Sequence, residues 1–153
     1  MFAACLLIVI SVLAQVGLGR IVASPWWMPD GILVTMASLA LVRPERALVP
    51  ILLGAVLVLP VAGEHAPLVA GLYAAGALLV WRLSASWDLA PAWVGMLAVA
   101  LVEAMLIAWW LLLDGFGRLT LVGSAAIRVA LTAACLPLAR AIVGRLVPSA
   151  TGR

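Results

Sequence analysis

Along most of this chain the apolar positions do not alternate with polar ones. Stretches such as Phe2 to Gly19 and Ala90 to Leu113 are apolar on all faces, whereas a helix resting on a soluble core shows a charged face at a period of about 3.6 residues. A segment hydrophobic all round is solvated by lipid. Reading the apolar runs between charges and Pro/Gly punctuation predicts six helices, at about 2–19, 27–42, 46–62, 67–83, 91–113 and 120–146. Helices 2 to 4 of this set have only about 16 or 17 residues, near the lower limit for crossing a hydrocarbon core about 30 Å thick. A five-span arrangement with one re-entrant segment therefore stays open beside six spans. Pro67 and Pro91 fall at helix starts, where a missing amide costs little. Pro50 and Pro137 fall inside runs, where each removes a backbone hydrogen bond and is expected to bend its helix.

Composition decides the solvent. With 67% of 153 residues apolar, 10% charged and a mean hydropathy of +1.30, the chain lacks the polar surface that a water-soluble globule needs. At about 20 residues per crossing, its length admits at most six helices and essentially no extramembrane domain. The expected fold class is an all-α membrane protein, one bundle of about six transmembrane helices over residues 1–153. Met1 to Ser11 contains no Lys or Arg, so the first helix is expected to be retained rather than cleaved as a signal peptide.

Charge then sets orientation. All nine basic residues are Arg, and they are scattered between apolar runs rather than gathered in a stripe, so no nucleic-acid partner is expected. Placing both termini in the cytoplasm puts Arg43, Arg46, Arg82, Arg140, Arg145 and Arg153 inside, against Arg20 and Arg118 outside. Tryptophan, which prefers the two interfaces, agrees: Trp26, Trp27, Trp109 and Trp110 fall at the outer ends, and Trp81, Trp87 and Trp93 around the inner turn between helices 4 and 5.

Small residues form rows that let helices approach closely in lipid: Ala66, Ala70 and Ala74 with Gly71 and Ala75 beside them in helix 4, and Ala126, Ala130 and Ala134 in helix 6. Internal bundle contacts are the favoured use, a partner surface the alternative. Cys5 and Cys135 lie inside apolar runs and read as small packing residues without disulfide spacing.

Two ionisable residues need an explanation at their depth. Counted from the outer helix ends at 1.5 Å per residue, Glu103 lies about 15 Å and Arg128 about 12 Å into the membrane, so neighbouring antiparallel helices could pair them. Such an ion pair either fixes helix register or belongs to a polar site in a cavity; snorkelling to the lipid surface is the third option. Asp30, after Pro29, reads as the cap of helix 2, its carboxylate accepting the free amides of the first turn. The turn Arg43-Pro44-Glu45-Arg46 is the densest charge cluster and serves as a topology anchor or a docking point.

Catalytic and metal chemistry find few residues. The single His, His65, stands beside Glu64 in a short loop, with no triad and too few ligands for a metal. There is no Gly-rich phosphate loop, and no cofactor is expected.

The order of features resembles the rod shape-determining protein MreD family. The resemblance rests on Pro29-Asp30 opening helix 2, the Arg43-Pro44-Glu45-Arg46 turn, Gly54 and Gly63, Gly71-Leu72-Tyr73-Ala74, Trp81-Arg82-Leu83, and the closing Pro137-Leu138-Ala139 and Arg145-Leu146. One departure is that the family commonly has an Asp after the glycines of helix 3, where this chain reads Val58-Leu59-Pro60-Val61. The resemblance implies a non-enzymatic inner-membrane component of the bacterial cell-elongation machinery, binding the scaffold protein MreC and helping to organise peptidoglycan synthases. It also implies a fold similar to the substrate-binding S-components of energy-coupling-factor transporters. A substrate-binding subunit of a vitamin or small-solute transporter is the alternative, with Glu103, Arg128, Gln15 and Tyr73 as its polar pocket candidates.

Overall fold

A computed structural model describes residues 1–21, 28–60, 66–86, 92–113 and 122–147. The described residues form six helices and no strand: α1 Phe2–Ile21, α2 Gly31–Val42, α3 Pro44–Val58, α4 Ala66–Ser86, α5 Ala92–Leu113 and α6 Val122–Leu146. Four of them, α1, α4, α5 and α6, are long and apolar enough to cross a membrane. The chain is an all-helical, multi-pass membrane protein.

The other two helices depart from the expected spans. Helix 2 starts at Gly31 rather than at 27, because Asp30 has non-helical backbone angles (φ −77°, ψ 89°) and closes the first turn with its side chain. Twelve residues rise about 18 Å, well short of the bilayer core. Helix 3 starts at Pro44 rather than 46, with the proline where its missing amide is no loss, and ends at Val58, short of the expected 62. Its 15 residues include Pro50, as α6 includes Pro137.

A single residue, Arg43, separates α2 from α3, so the two form a tight helical hairpin. Its return leg comes so close that a Cβ on Gly54 would lie 2.5 Å from Met36 Cε and 3.2 Å from Ile8 Cγ2. The hairpin is the centre of the bundle: α2 packs against all five other helices. Eight of its twelve residues are buried, from Ile32 to Ala40. By contrast, α1 buries only the narrow stripe Ala4, Ile8, Val12 and turns Leu6, Ile10 and Leu13 outward. Phe2, Met105 and Leu138, each more than 60% exposed, sit on the same kind of outer surface, apolar as contact with lipid requires.

The two rows of small residues face different ways. In α4, Ala70 is buried and Ala66 and Ala74 are half-buried, as internal contacts require, whereas Gly71 and Ala75 beside them are exposed. In α6, Ala126, Ala130 and Ala134 are all exposed, because that helix turns Ala125, Thr132, Ala133 and Leu136 inward instead. The expected internal role therefore fails for the α6 row. Close packing on α5 comes from Gly76, where a Cβ would lie 2.5 Å from Val102 Cγ1.

One end of the bundle gathers the arginines. Arg43 Nε donates to Val147 O at 2.9 Å, and Trp81 Nε1 donates to Pro44 O at 2.9 Å, so the α2–α3 joint and the ends of α4 and α6 meet there. Arg46, Arg82, Arg140 and Arg145 belong to the same end, Arg20 to the opposite one. Trp26, Trp27, Trp87, Gly63, Glu64, His65, Pro91, Arg118 and Arg153 lie outside the described residues, as does the Trp110 side chain.

Candidate functional site

A helix that begins inside a bilayer leaves its first amides with no water to bind, so other groups must accept them. Asp30 Oδ1 accepts from Leu33 N at 2.9 Å, the N-cap arrangement. Gln15, from α1, accepts from Ile32 N through Oε1 at 3.2 Å. The Asp30 amide itself donates to Thr132 Oγ1 of α6 at 2.9 Å. Thr35 donates to Gly31 O at 2.7 Å, which leaves Ser11 of α1 as the donor in its 2.7 Å contact with Thr35. Neighbouring helices thus supply the polar partners that solvent supplies elsewhere.

The second oxygen of Asp30 reaches further. Oδ2 accepts from Arg128 Nη2 at 2.8 Å and from the hydroxyl of Tyr73 in α4. Arg128 Nε donates to Glu103 Oε1 of α5 at 2.5 Å. One guanidinium therefore joins two carboxylates, tying α2, α5 and α6, with Tyr73 adding α4. Asp30 is 0% and Glu103 1% exposed, while the Arg128 side chain keeps 18%. Glu103 Oε2 and Ser38 Oγ are buried with no hydrogen-bond partner among the described residues.

Glu103 and Arg128, which depth counting brings to one level, are thus in contact. Pro29 and Asp30 adjoin them, and the cap of α2 is also a member of the ionic cluster. That second role of Asp30, with Tyr73 and Thr132 as partners, is not foreseen by sequence reasoning. The sequence carries no signal for it, since depth counting sets the start of α2 at the membrane surface rather than level with Glu103 and Arg128. The turn Arg43-Pro44-Glu45-Arg46 is not part of this cluster. It lies at the other end of α2, about 18 Å away along the helix, with Pro44 and Glu45 exposed. Glu45, in the first turn of α3, favourably opposes the helix dipole.

Beside the cluster is a cavity of about 650 Å³. Gln15, Arg20, Tyr73 and Arg128 supply its polar lining, and valines of α1, α3 and α4 supply apolar wall. Gln15, Tyr73 and Arg128 are three of the four residues that the sequence offers for a pocket; the fourth, Glu103, lies behind Arg128, outside the lining. Among the described residues, no three His, Cys, Asp or Glu side chains come together as metal ligands. Cys5 and Cys135 are free thiols.

Compared with known proteins, the chain matches no family model, no curated sequence and no solved structure.

Proposed function

We propose that this chain is a non-enzymatic inner-membrane scaffold subunit of the bacterial cell-elongation machinery, of the rod shape-determining MreD type. It holds an MreC-like scaffold protein and, through it, peptidoglycan synthases. The observation that carries this reading is that one guanidinium cross-links the carboxylates of two helices. Arg128 is bonded to both Asp30 and Glu103, and Asp30 also to the first turn of α2. A cluster so cross-linked fixes the register of α2, α5 and α6 and so stiffens a body on which a partner can dock. The residues behind the family resemblance support it too, since several are joints of the fold. Pro29-Asp30 starts α2, Arg43-Pro44 is the hairpin turn, Gly54 lets its two legs meet, and Trp81 clamps the turn.

In this reading both termini are cytoplasmic, supported by the five arginines gathered at the Arg43 end against Arg20 at the other. The α2–α3 hairpin completes a six-helix arrangement similar to an S-component, with α2 as its short central member. The test is affinity purification of the tagged full chain from native membranes in mild detergent. An MreC-like protein and synthases should be retained, and depletion of the chain should round rod-shaped cells. Recovery of an ATP-driven energising module with a bound solute would overturn the reading.

That second outcome belongs to the alternative, a substrate-binding subunit of an uptake transporter. The cavity lined by Gln15, Arg20, Tyr73 and Arg128 is the observation in its favour.

A further inference from the structure

We infer that this cavity binds an amphiphile with an anionic oxygen head, a carboxylate or a phosphate. The head is held by Arg20, Gln15 and Arg128, and the apolar body lies against Val12, Val58 and Val69. The argument runs through the hydrogen-bonding capacity that the lining has left. Arg128 commits Nε to Glu103 and one N–H of Nη2 to Asp30, so Nη1 has both of its N–H groups left for the cavity that the side chain lines. Gln15 uses Oε1 on the Ile32 amide, which leaves its NH₂ as the uncommitted group. Tyr73 gives its proton to Asp30. Arg20, at the end of α1, adds a second guanidinium to the lining.

The two carboxylates are on the other side of the wall. Asp30 and Glu103 are closed off at 0% and 1% exposure, behind the guanidinium that they hold. A ligand in the cavity therefore meets donors at its polar end and valines along its length. Oxygen-rich anions match guanidinium and amide donors through charge-assisted bonds, and the apolar wall selects a hydrocarbon body. A volume of about 650 Å³ is within the range of small-molecule sites. The ligand has two possible sources, an anionic membrane lipid or a free amphiphilic acid.

This inference deepens the cavity-based alternative by naming its ligand class, yet it requires no uptake and is equally compatible with a scaffold that carries a bound lipid. It is tested on the isolated protein, so its failure leaves the partner purification untouched.

The full chain, delipidated in a neutral detergent, is titrated with dioleoylphosphatidylglycerol, with zwitterionic dioleoylphosphatidylcholine and with decanoate, and binding is read by native mass spectrometry. The glycerol lipid or decanoate should bind about tenfold more tightly than the choline lipid, the first pointing to a lipid source and the second to a free acid. Arg20→Ala, at an exposed helix end where folding is not at stake, should lose most of that preference, and Arg20→Lys should restore part of it. Gln15→Leu should weaken binding less. Equal binding of all three probes, no binding of either anion, or an anion preference unchanged in Arg20→Ala would each overturn the inference.

Discussion

The guanidinium of Arg128 lies 2.8 Å from the carboxylate of Asp30, across 98 positions of sequence. The first turn of α2 is thereby anchored to α6 where its cap residue is fully buried. Arg128 also holds Glu103, so the ion that compensates the cap is itself compensated from α5. A charged side chain deep in a bilayer is tolerated when it is paired in this way.

Asp30 combines two roles that substitution can separate. Loss of a helix cap alone costs about 1 kcal/mol, whereas leaving a buried charge without its partner costs about 3–5 kcal/mol. Asp30→Ala removes the cap and one partner of Arg128 together and should destabilise by about 3 kcal/mol or more in detergent unfolding. Asp30→Asn keeps a cap oxygen and should cost less. A loss near 1 kcal/mol for Asp30→Ala would mean that only the cap matters.

Gly76 and Gly71 make a matched pair on α4. A methyl group on Gly76 would meet Val102 Cγ1 at 2.5 Å, and one on Gly71 would meet nothing within 4 Å. Valine is stiff at χ1 and cannot easily move aside. Gly76→Ala should therefore destabilise by about 1–3 kcal/mol, and Val102→Ala should relieve it in the double variant. Gly71→Ala should be neutral or stabilise by up to about 1 kcal/mol. Thermal melting in one detergent compares all of these.

Arg43 ties the hairpin turn to the last described residue of the bundle, Val147. Arg43→Ala should cost about 1–3 kcal/mol, the range for a hydrogen bond from a charged group, and should raise hydrogen exchange at the end of α6 before other segments. Uniform exchange along α6 would count against the tie.

The shared end of the bundle has a topological consequence. Single cysteines at Glu45 and Arg145, in a background with Cys5 and Cys135 replaced, should react with an impermeant thiol reagent from the same side of the membrane. A cysteine at Arg20 should react from the other side. Opposite sidedness for positions 45 and 145 would contradict the contact of Arg43, in the α2–α3 turn, with Val147 at the end of α6.

How much of this was legible beforehand differs by element. The four long helices are written in all-round hydrophobicity, and the start of α2 in Pro29-Asp30. Depth counting brings Glu103 and Arg128 together because both lie in long helices, whose ends are easily placed. The same counting misplaces Asp30, since it puts the start of α2 at the membrane surface; the end of the helix at Val42 is legible from the Arg43-Pro44 turn, but nothing in the sequence shows that its first turn lies level with Glu103 and Arg128. The α6 alanines show a further limit. Spacing reveals that Ala126, Ala130 and Ala134 share a face, but only the neighbours decide that the face turns outward. The cavity has no sequence period at all, being bounded by residues of five different helices or their ends.

The ionic cluster itself is tested most directly by a thermodynamic cycle on Glu103 and Arg128. Unfolding free energies of the unsubstituted chain, Glu103→Gln, Arg128→Ala and the double variant are measured under one set of micelle conditions. A coupling above about 1 kcal/mol is predicted, because removing either partner strands the other, whereas independent sites add to within about 0.5 kcal/mol. Simple additivity would contradict the account and leave the two side chains as neighbours without mutual dependence.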